Sequence, residues 1–288
     1  MTQIKEPASR GAYRLIDAGD EQKLEMVGPY KVVRQAAQAF WPRKLDAREW
    51  QRDVNGVHVR TQKGGGFWKF EQRPPESWIV DWRGFRFKAK LTDFGHIGLF
   101  PEQGATNFEW LRRHAADPSL HVINLFGYTG GSSLAAAAAG AQVTHVDASK
   151  GVVTWARENF ELNGLGDHPV RWIVEDVVKY LEREVRRGNR YQGFILDPPT
   201  YGRGPKGQIW RIEKDLPILL DLIEKLADPF AFILLSCHTP GFTACSLKNI
   251  LHMAFDLPLA QIEAGEMTVG IENSELVLPS GTYARWAV

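Results

Sequence analysis

The chain has 288 residues, 44% hydrophobic and 11% aromatic, enough to bury the core of one large domain or two smaller ones. It has no apolar run of the roughly 18 residues that a membrane span needs, its opening Met1–Arg10 is polar rather than leader-like, and its two cysteines make no disulfide framework, so a reducing cytoplasm is expected and no membrane partner. Net charge is only +1, but residues 31–90 hold 14 Lys/Arg against six Asp/Glu, leaving the remainder acidic, a pattern shared by some nucleic-acid enzymes and by ordinary solvated surfaces.

In chain order, residues 13–30 read as two short strands joined by an Asp/Gly turn. The alternation continues through Gly56–Arg60, Phe67–Phe70, Trp78–Trp82 and Phe85–Lys88, broken by Lys63–Gly66, Pro74-Pro75 and Gly84. Period-2 alternation with aromatics predicts a small antiparallel β module over residues 1–90. Trp41, Trp50, Trp68, Trp78 and Trp82, interleaved with Arg and Lys, could stack on unpaired bases or fill a small β core. Residues 91–119 form a bridge whose Asn107–His114 stretch reads as a helix.

From 120 to 288 the pattern alternates strand and helix, which predicts an α/β domain with a mostly parallel, Rossmann-like sheet. Residues 122–126 form a buried strand, and Gly127, Gly130 and Gly131 a tight turn that lets backbone approach a ligand. Thr129, Ser132 or Ser133 is a candidate cap for the alanine-rich helix ended by Gly140. Asp147 closes the next strand, about 20 residues past the turn, where an acid can accept hydrogen bonds from a ribose. The spacing Gly127-Tyr-Thr-Gly130-Gly131 departs from the G-x-G-x-x-G of a dinucleotide fold. It fits a donor without phosphate, S-adenosylmethionine, better than a nicotinamide.

Further strands are expected at 170–174, 191–196 and 230–235, with helices at 151–162, 177–187, 213–226 and 243–255 and a last strand pair near 261–264 and 282–288. Residues 202–207 read as a mobile loop. In a parallel sheet the carboxyl ends share one edge, so the 127–131 turn, Asp147, Asp176, Asp197 and Cys237 should converge there. The prolines of Asp197-Pro198-Pro199-Thr200-Tyr201 stiffen a turn that could grip a planar base through Asp197 and backbone carbonyls, with Tyr201 stacking on it. Cys237 is either a small core residue or a thiolate that attacks carbon 6 of a pyrimidine, for which its pKa must be lowered. His238 is adjacent, but alternation can point it the other way. Cys245 falls within a helix and reads as core.

Asn124–Gly131, Val146-Asp-Ala-Ser149, Ala156–Asn163, Asp197–Tyr201, Ser236-Cys-His238 and the bridge Gly95–Gln103 together resemble the class I S-adenosylmethionine-dependent methyltransferases. The resemblance is closest to the bacterial group that includes the large-subunit ribosomal-RNA cytosine-5 enzymes. It implies that Phe126, Gly127, Tyr128, Thr129 and Gly130 hold the methionine part of the donor. Asp147, with Ala148 beside it, would bind the ribose, Asp176 the adenine edge, and Asp197 would line both donor and base. Pro198, Pro199, Thr200 and Tyr201 would hold the base, and Asp197 and Cys237 would be catalytic. It implies ribosomal RNA as partner and methylation of cytosine carbon 5 through a Cys237 adduct. The alternative is transfer to an exocyclic amine of guanine or adenine using Asp197–Tyr201, without a cysteine.

Overall fold

A computed structural model describes residues 10–61, 65–204 and 207–288. The polar start, positions 63–64 of the predicted glycine turn and positions 205–206 of the predicted loop lie outside the described residues. The chain divides into two compact units, Met1–Ala105 with Thr268–Pro279, and Thr106–Met267 with Ser280–Val288.

The first unit contains β1 (Arg10–Gly19), β2 (Gln22–Val27), β3 (Tyr30–Gln35), α1 (Ala47–Gln51), β4 (Val54–Arg60), β5 (Gly66–Phe70), β6 (Trp78–Trp82), β7 (Phe85–Ala89) and α2 (Pro101–Thr106). Its sheet runs β5-β4-β3-β2-β1-β6-β7. The antiparallel pairing expected from the alternation holds for β1–β2, β2–β3, β4–β5 and β6–β7. Two further pairings, β3–β4 and β1–β6, are parallel. Alternation says which residues are strand but not which strands are neighbours, and the crossover carrying α1 lets β4 run alongside β3.

The five tryptophans that could stack on bases or fill a small β core have internal partners. Trp50 and Trp78 are buried. The Trp50 indole donates to Asp17 Oδ2 at 2.8 Å, Trp78 to the Val27 carbonyl at 2.7 Å, Trp41 to Ala18, Trp68 to Thr92 and Trp82 to Pro101. A buried indole N–H needs an acceptor, and here the unit's own backbone supplies most of them. Beside them lies a buried ionic cluster. Arg34 holds Glu25 through two donors, Nε at 2.6 Å and Nη2 at 2.7 Å, while Tyr13 donates to the same carboxylate at 2.8 Å. Lys23 Nζ lies 3.5 Å from it. Burial alone would raise the Glu25 carboxyl, but Arg34 and then Lys23 overcome that and bring it down to about 2.

The second unit contains α3 (Phe108–His114), β8 (His121–Leu125), α4 (Gly131–Ala138), β9 (Gln142–Asp147), α5 (Lys150–Leu162), β10 (Val170–Val174), α6 (Val177–Arg187), β11 (Tyr191–Leu196), β12 (Tyr201–Arg203), β13 (Ile209–Arg211), α7 (Ile212–Leu226), β14 (Ala227–Cys237), α8 (Ala244–Phe255), β15 (Glu263–Gly270) and β16 (Val277–Ala287). Both β15 and β16 run across the division between the units. The sheet order is β10-β9-β8-β11-β14-β16-β15. The first five strands are parallel and β16 returns antiparallel to β14. Ile123, Leu125, Phe194, Leu196, Ile233 and Leu235 of the strands pack with Leu181, Leu219, Ile223 and Leu251 of α6, α7 and α8. Ala135 and Ala136 of α4 are fully buried, as a helix without bulk lying close on a sheet should be. Among the described residues no helix is long and apolar enough to cross a membrane.

Of the loop expected at 202–207, Gly202 and Arg203 belong instead to a strand of a β-hairpin, with Tyr201 opposite Arg211, Gly202 opposite Trp210 and Arg203 opposite Ile209. Glycine content made it read as loop. Buried Trp210 gives the pairing an anchor that the local sequence does not announce.

Candidate active site

Parallel register brings the strand ends together. Leu125 pairs with Val146 and Leu196, Leu196 with Leu235, and Val174 with Asp147. The glycine turn, Asp147, Asp176, Asp197 and Cys237 therefore follow neighbouring strands along one edge of the sheet, as the sequence led us to expect.

The turn after β8 is strained. Phe126 and Tyr128 adopt left-handed φ of 58° and 47°, and Gly130 one of 85°. Non-glycine residues in that region cost ~1–3 kcal/mol each and persist where the surroundings over-determine them. Here Gly127 N–H donates to the Val146 carbonyl at 3.0 Å, Tyr128 N–H to Asp147 Oδ2 at 3.0 Å, and Asn159 Nδ2 to the Thr129 carbonyl at 2.8 Å. Glycine is required at 127 because a Cβ there would fall 2.4 Å from the His145 ring. That ring is fully buried, its Nδ1 is 3.0 Å from Ser133 Oγ, and burial pushes it down to about 3, so it is neutral at ordinary pH. Ser133 is thus no helix cap, since it also accepts from Asn124 Nδ2 at 2.8 Å. The N-cap is Gly130, which offers no side chain, so neither Thr129 nor Ser132 caps α4. An uncapped helix start leaves backbone N–H groups at the turn for an anionic ligand group.

Asp147 accepts from Tyr128 N–H with one oxygen and from Ser149 N–H, at 2.9 Å, with the other. Each carboxylate oxygen has a second lone pair, so this fixed acceptor can still receive ribose hydroxyls. Burial raises its pKa, outweighing the two backbone donors. Protonation therefore removes the acceptor at a pH above the ordinary carboxylate range near ~3.9. Donor affinity measured by calorimetry is expected to fall on acidification starting above that range. Asp147→Ala should cost roughly 10- to 100-fold in affinity at neutral pH, the worth of a lost hydrogen bond to a charged group. Unchanged binding would remove Asp147 from the donor site. Asp176 caps α6, accepting from Lys179 N–H at 3.1 Å through Oδ1.

Asp197 is held rather than loose. Ser236 Oγ, on buried β14, donates to its Oδ1 at 2.8 Å, and His238 Nε2 is 3.5 Å from the same oxygen. His238 therefore does face the site. Alternation misleads at that point because β14 ends at Cys237 and the chain turns. Two backbone carbonyls of the motif have internal donors, Trp210 Nε1 to Pro199 at 2.7 Å and Ile212 N–H to Thr200 at 3.2 Å, and each keeps a second lone pair. Trp210 also packs edge-on against Phe126 with centroids 4.8 Å apart, tying the Asp-Pro-Pro turn to the glycine turn. Thr200 and Thr239 hydroxyls lie 2.8 Å apart, while Tyr201 is 48% exposed. Trp210, Ser236 and His238 were missed as site residues because only tertiary contacts mark them.

Cys237 departs most from expectation. It is 1% exposed and packs in the core cluster. Burial raises its thiol pKa, and the carboxylates of Asp197 and Glu213 add to the rise, outweighing the Thr239 N–H that reaches Sγ at 3.4 Å. A thiolate nucleophile needs the opposite. Cys245, expected in the core, is exposed on α8.

A strained glycine turn, a strand-end carboxylate and an Asp-Pro-Pro turn share one parallel edge of a class I methyltransferase fold. A family model for S-adenosylmethionine-dependent methyltransferases matches residues 52–242, and the chain belongs to that family, with S-adenosylmethionine as its cofactor. The crystal structure of a SAM-dependent methyltransferase from Agrobacterium tumefaciens is 36% identical, with a TM-score of 0.87 over 100% of this chain and 97% of that one. A methyltransferase crystallised with S-adenosylhomocysteine shares the fold at a TM-score of 0.72 and 19% identity, covering 96% of this chain and 76% of that one. The ribosomal RNA large subunit methyltransferase K/L of Hahella chejuensis is 34% identical over 165 residues, 57% of this chain. The chain spans only 22% of that relative's length.

Proposed function

We propose that this enzyme methylates a nitrogen of a purine in ribosomal RNA, the exocyclic amine of guanine. The observation that carries the reading is the contrast between the two catalytic candidates. Cys237 is buried with its thiol pKa raised, whereas Asp197 is oriented by Ser236 and His238 at the end of a stiff turn. The relative from Hahella chejuensis, by its name a large-subunit ribosomal RNA methyltransferase, supports the RNA and the subunit.

When bound, S-adenosylmethionine supplies a methyl group whose bond to sulfur breaks as the bond to the base nitrogen forms. The turn Phe126–Gly130, with Asp147 and Ala148, would hold it, and Asp176 would meet its adenine. Asp197 presents two carboxylate oxygens as acceptors, which suits a base edge with adjacent donors. Guanine offers two, N1–H and the amine, whereas adenine offers a donor beside an acceptor. Hydrogen bonding to Asp197 raises electron density on the amine nitrogen and fixes its approach. The proton released on methylation passes to the Asp197–His238 pair, and His238, with a side chain 35% exposed, can hand it to water. Pro198 and Pro199 stiffen the turn, Thr200 is fixed by Thr239, and Tyr201 offers its exposed ring to the RNA. The basic segment 31–90 contributes phosphate contacts.

Mass spectrometry of ribosomal RNA nucleosides from a deletion strain tests this reading. Loss of a methylated guanosine, restored by the purified enzyme, is the expected result. Loss of 5-methylcytidine instead would return the chemistry to Cys237.

A further inference from the structure

The β12–β13 hairpin follows Asp197-Pro-Pro-Thr directly, and its two faces differ sharply. Gly202 and Trp210 form one face. Trp210 is 6% exposed, pinned by Phe126 and the Pro199 carbonyl. The register puts Tyr201, Arg203, Ile209 and Arg211 together on the other face, and all four are exposed, Tyr201 at 48% and Ile209 at 54%. Arg203 Nε donates to the Tyr201 hydroxyl at 3.2 Å, which sets the guanidinium beside the ring. Among the described residues neither Arg203 nor Arg211 has a carboxylate ion partner. Asp215 meets the backbone N–H of Arg211, at 2.6 Å.

One aromatic ring, one branched aliphatic and two guanidinium groups on a single ribbon face, with no acid on it, make an unusual exposed set. Apolar flat surface beside unpaired cations matches a nucleotide, whose base stacks while its phosphate meets arginine. We infer that this face is the seat for the RNA nucleotides flanking the target base, so that the enzyme takes its substrate as an unpaired strand. The inference rests on the RNA reading above and adds where and how the strand is held. The anchored face explains why the seat can hold register, since Trp210 fixes the ribbon to both the donor turn and the Asp-Pro-Pro turn.

The test uses the full chain with a labelled, short, guanine-containing single-stranded RNA, and the same RNA as a duplex. Binding is measured across a salt series for the wild type, the double variant Arg203→Gln/Arg211→Gln, Tyr201→Ala and Tyr201→Phe. Because the altered side chains are exposed, the variants should fold, and donor binding by calorimetry should match the wild type. The double variant should lower the slope of log affinity against log salt by about 1.4, two contacts at ~0.7 each. Tyr201→Ala should weaken single-strand binding roughly 5- to 150-fold, with Tyr201→Phe near wild type, because stacking needs only the ring. The duplex should bind no better than the single strand. A double variant with wild-type affinity and slope overturns the seat while leaving the RNA reading intact. A wild type that neither binds nor methylates RNA overturns that reading, and the seat with it.

Discussion

Replacing Asp197 with alanine is expected to lower methyl transfer roughly 10²- to 10⁴-fold, the usual worth of a positioned acid–base group. Cys237→Ala should keep turnover within a few-fold. In the proposed function Asp197 is the acceptor that meets the amine, and its carboxylate is held by Ser236 at 2.8 Å with His238 at 3.5 Å. A thiol at 1% exposure whose pKa is raised contributes packing, so its truncation should appear in the melting temperature instead. Single-turnover assays at saturating donor check both variants, with donor binding measured separately so that a lost cofactor is not read as lost chemistry. Trapping on RNA carrying 5-fluorocytosine makes the comparison decisive. A covalent adduct at Cys237, or Cys237→Ala that is dead while Asp197→Ala turns over, would reverse the assignment.

The largest stability effect is expected at Glu25. Glu25→Gln should destabilise the first unit by about 3–5 kcal/mol, because it strips the negative partner from Arg34 and Lys23 in a fully buried site. The carboxyl is held at about 2, below its unfolded range near ~4.3. A depressed carboxyl contributes stability that is present above the unfolded pKa and lost as pH falls toward the folded one. Wild-type stability should therefore decline between about pH 4.5 and 2, and the Glu25→Gln curve should be flatter there. Chemical denaturation at several pH values measures both. Equal stability of the two proteins at pH 7 would mean that the cluster contributes nothing net.

Much of the second unit was legible because its signals are local. Glycines at 127 and 130, the alanine run and the strand-end acids sit within a few residues of the backbone events they cause, and parallel topology carries them to one edge. The hairpin, the two parallel pairings of the first sheet and the inward turn of His238 were not legible. Each is decided by a partner far along the chain, such as Trp210 against Phe126 or His238 beside Asp197. The same limit governs Cys237. Its place at a strand end could be read from the sequence, but burial and neighbouring carboxylates, which set its proton affinity, could not. For the tryptophans of the basic stretch the sequence allows either base stacking or a small β core, and the internal acceptors of Trp50 and Trp78 favour the core for those two.

The close approach of Gly127 to the His145 ring has a consequence for any attempt to vary the glycine turn. A side chain at 127 has nowhere to go while an imidazole fills the space, and a smaller residue at 145 alone opens a void beneath the turn and takes a partner from Ser133. Changes at the two positions are strongly non-additive, each harmful in the background that suits the other. A library randomised at 127 alone should recover little besides glycine. One that varies 127 and 145 together can move between two packings of the same turn, so the pair behaves as a single heritable unit.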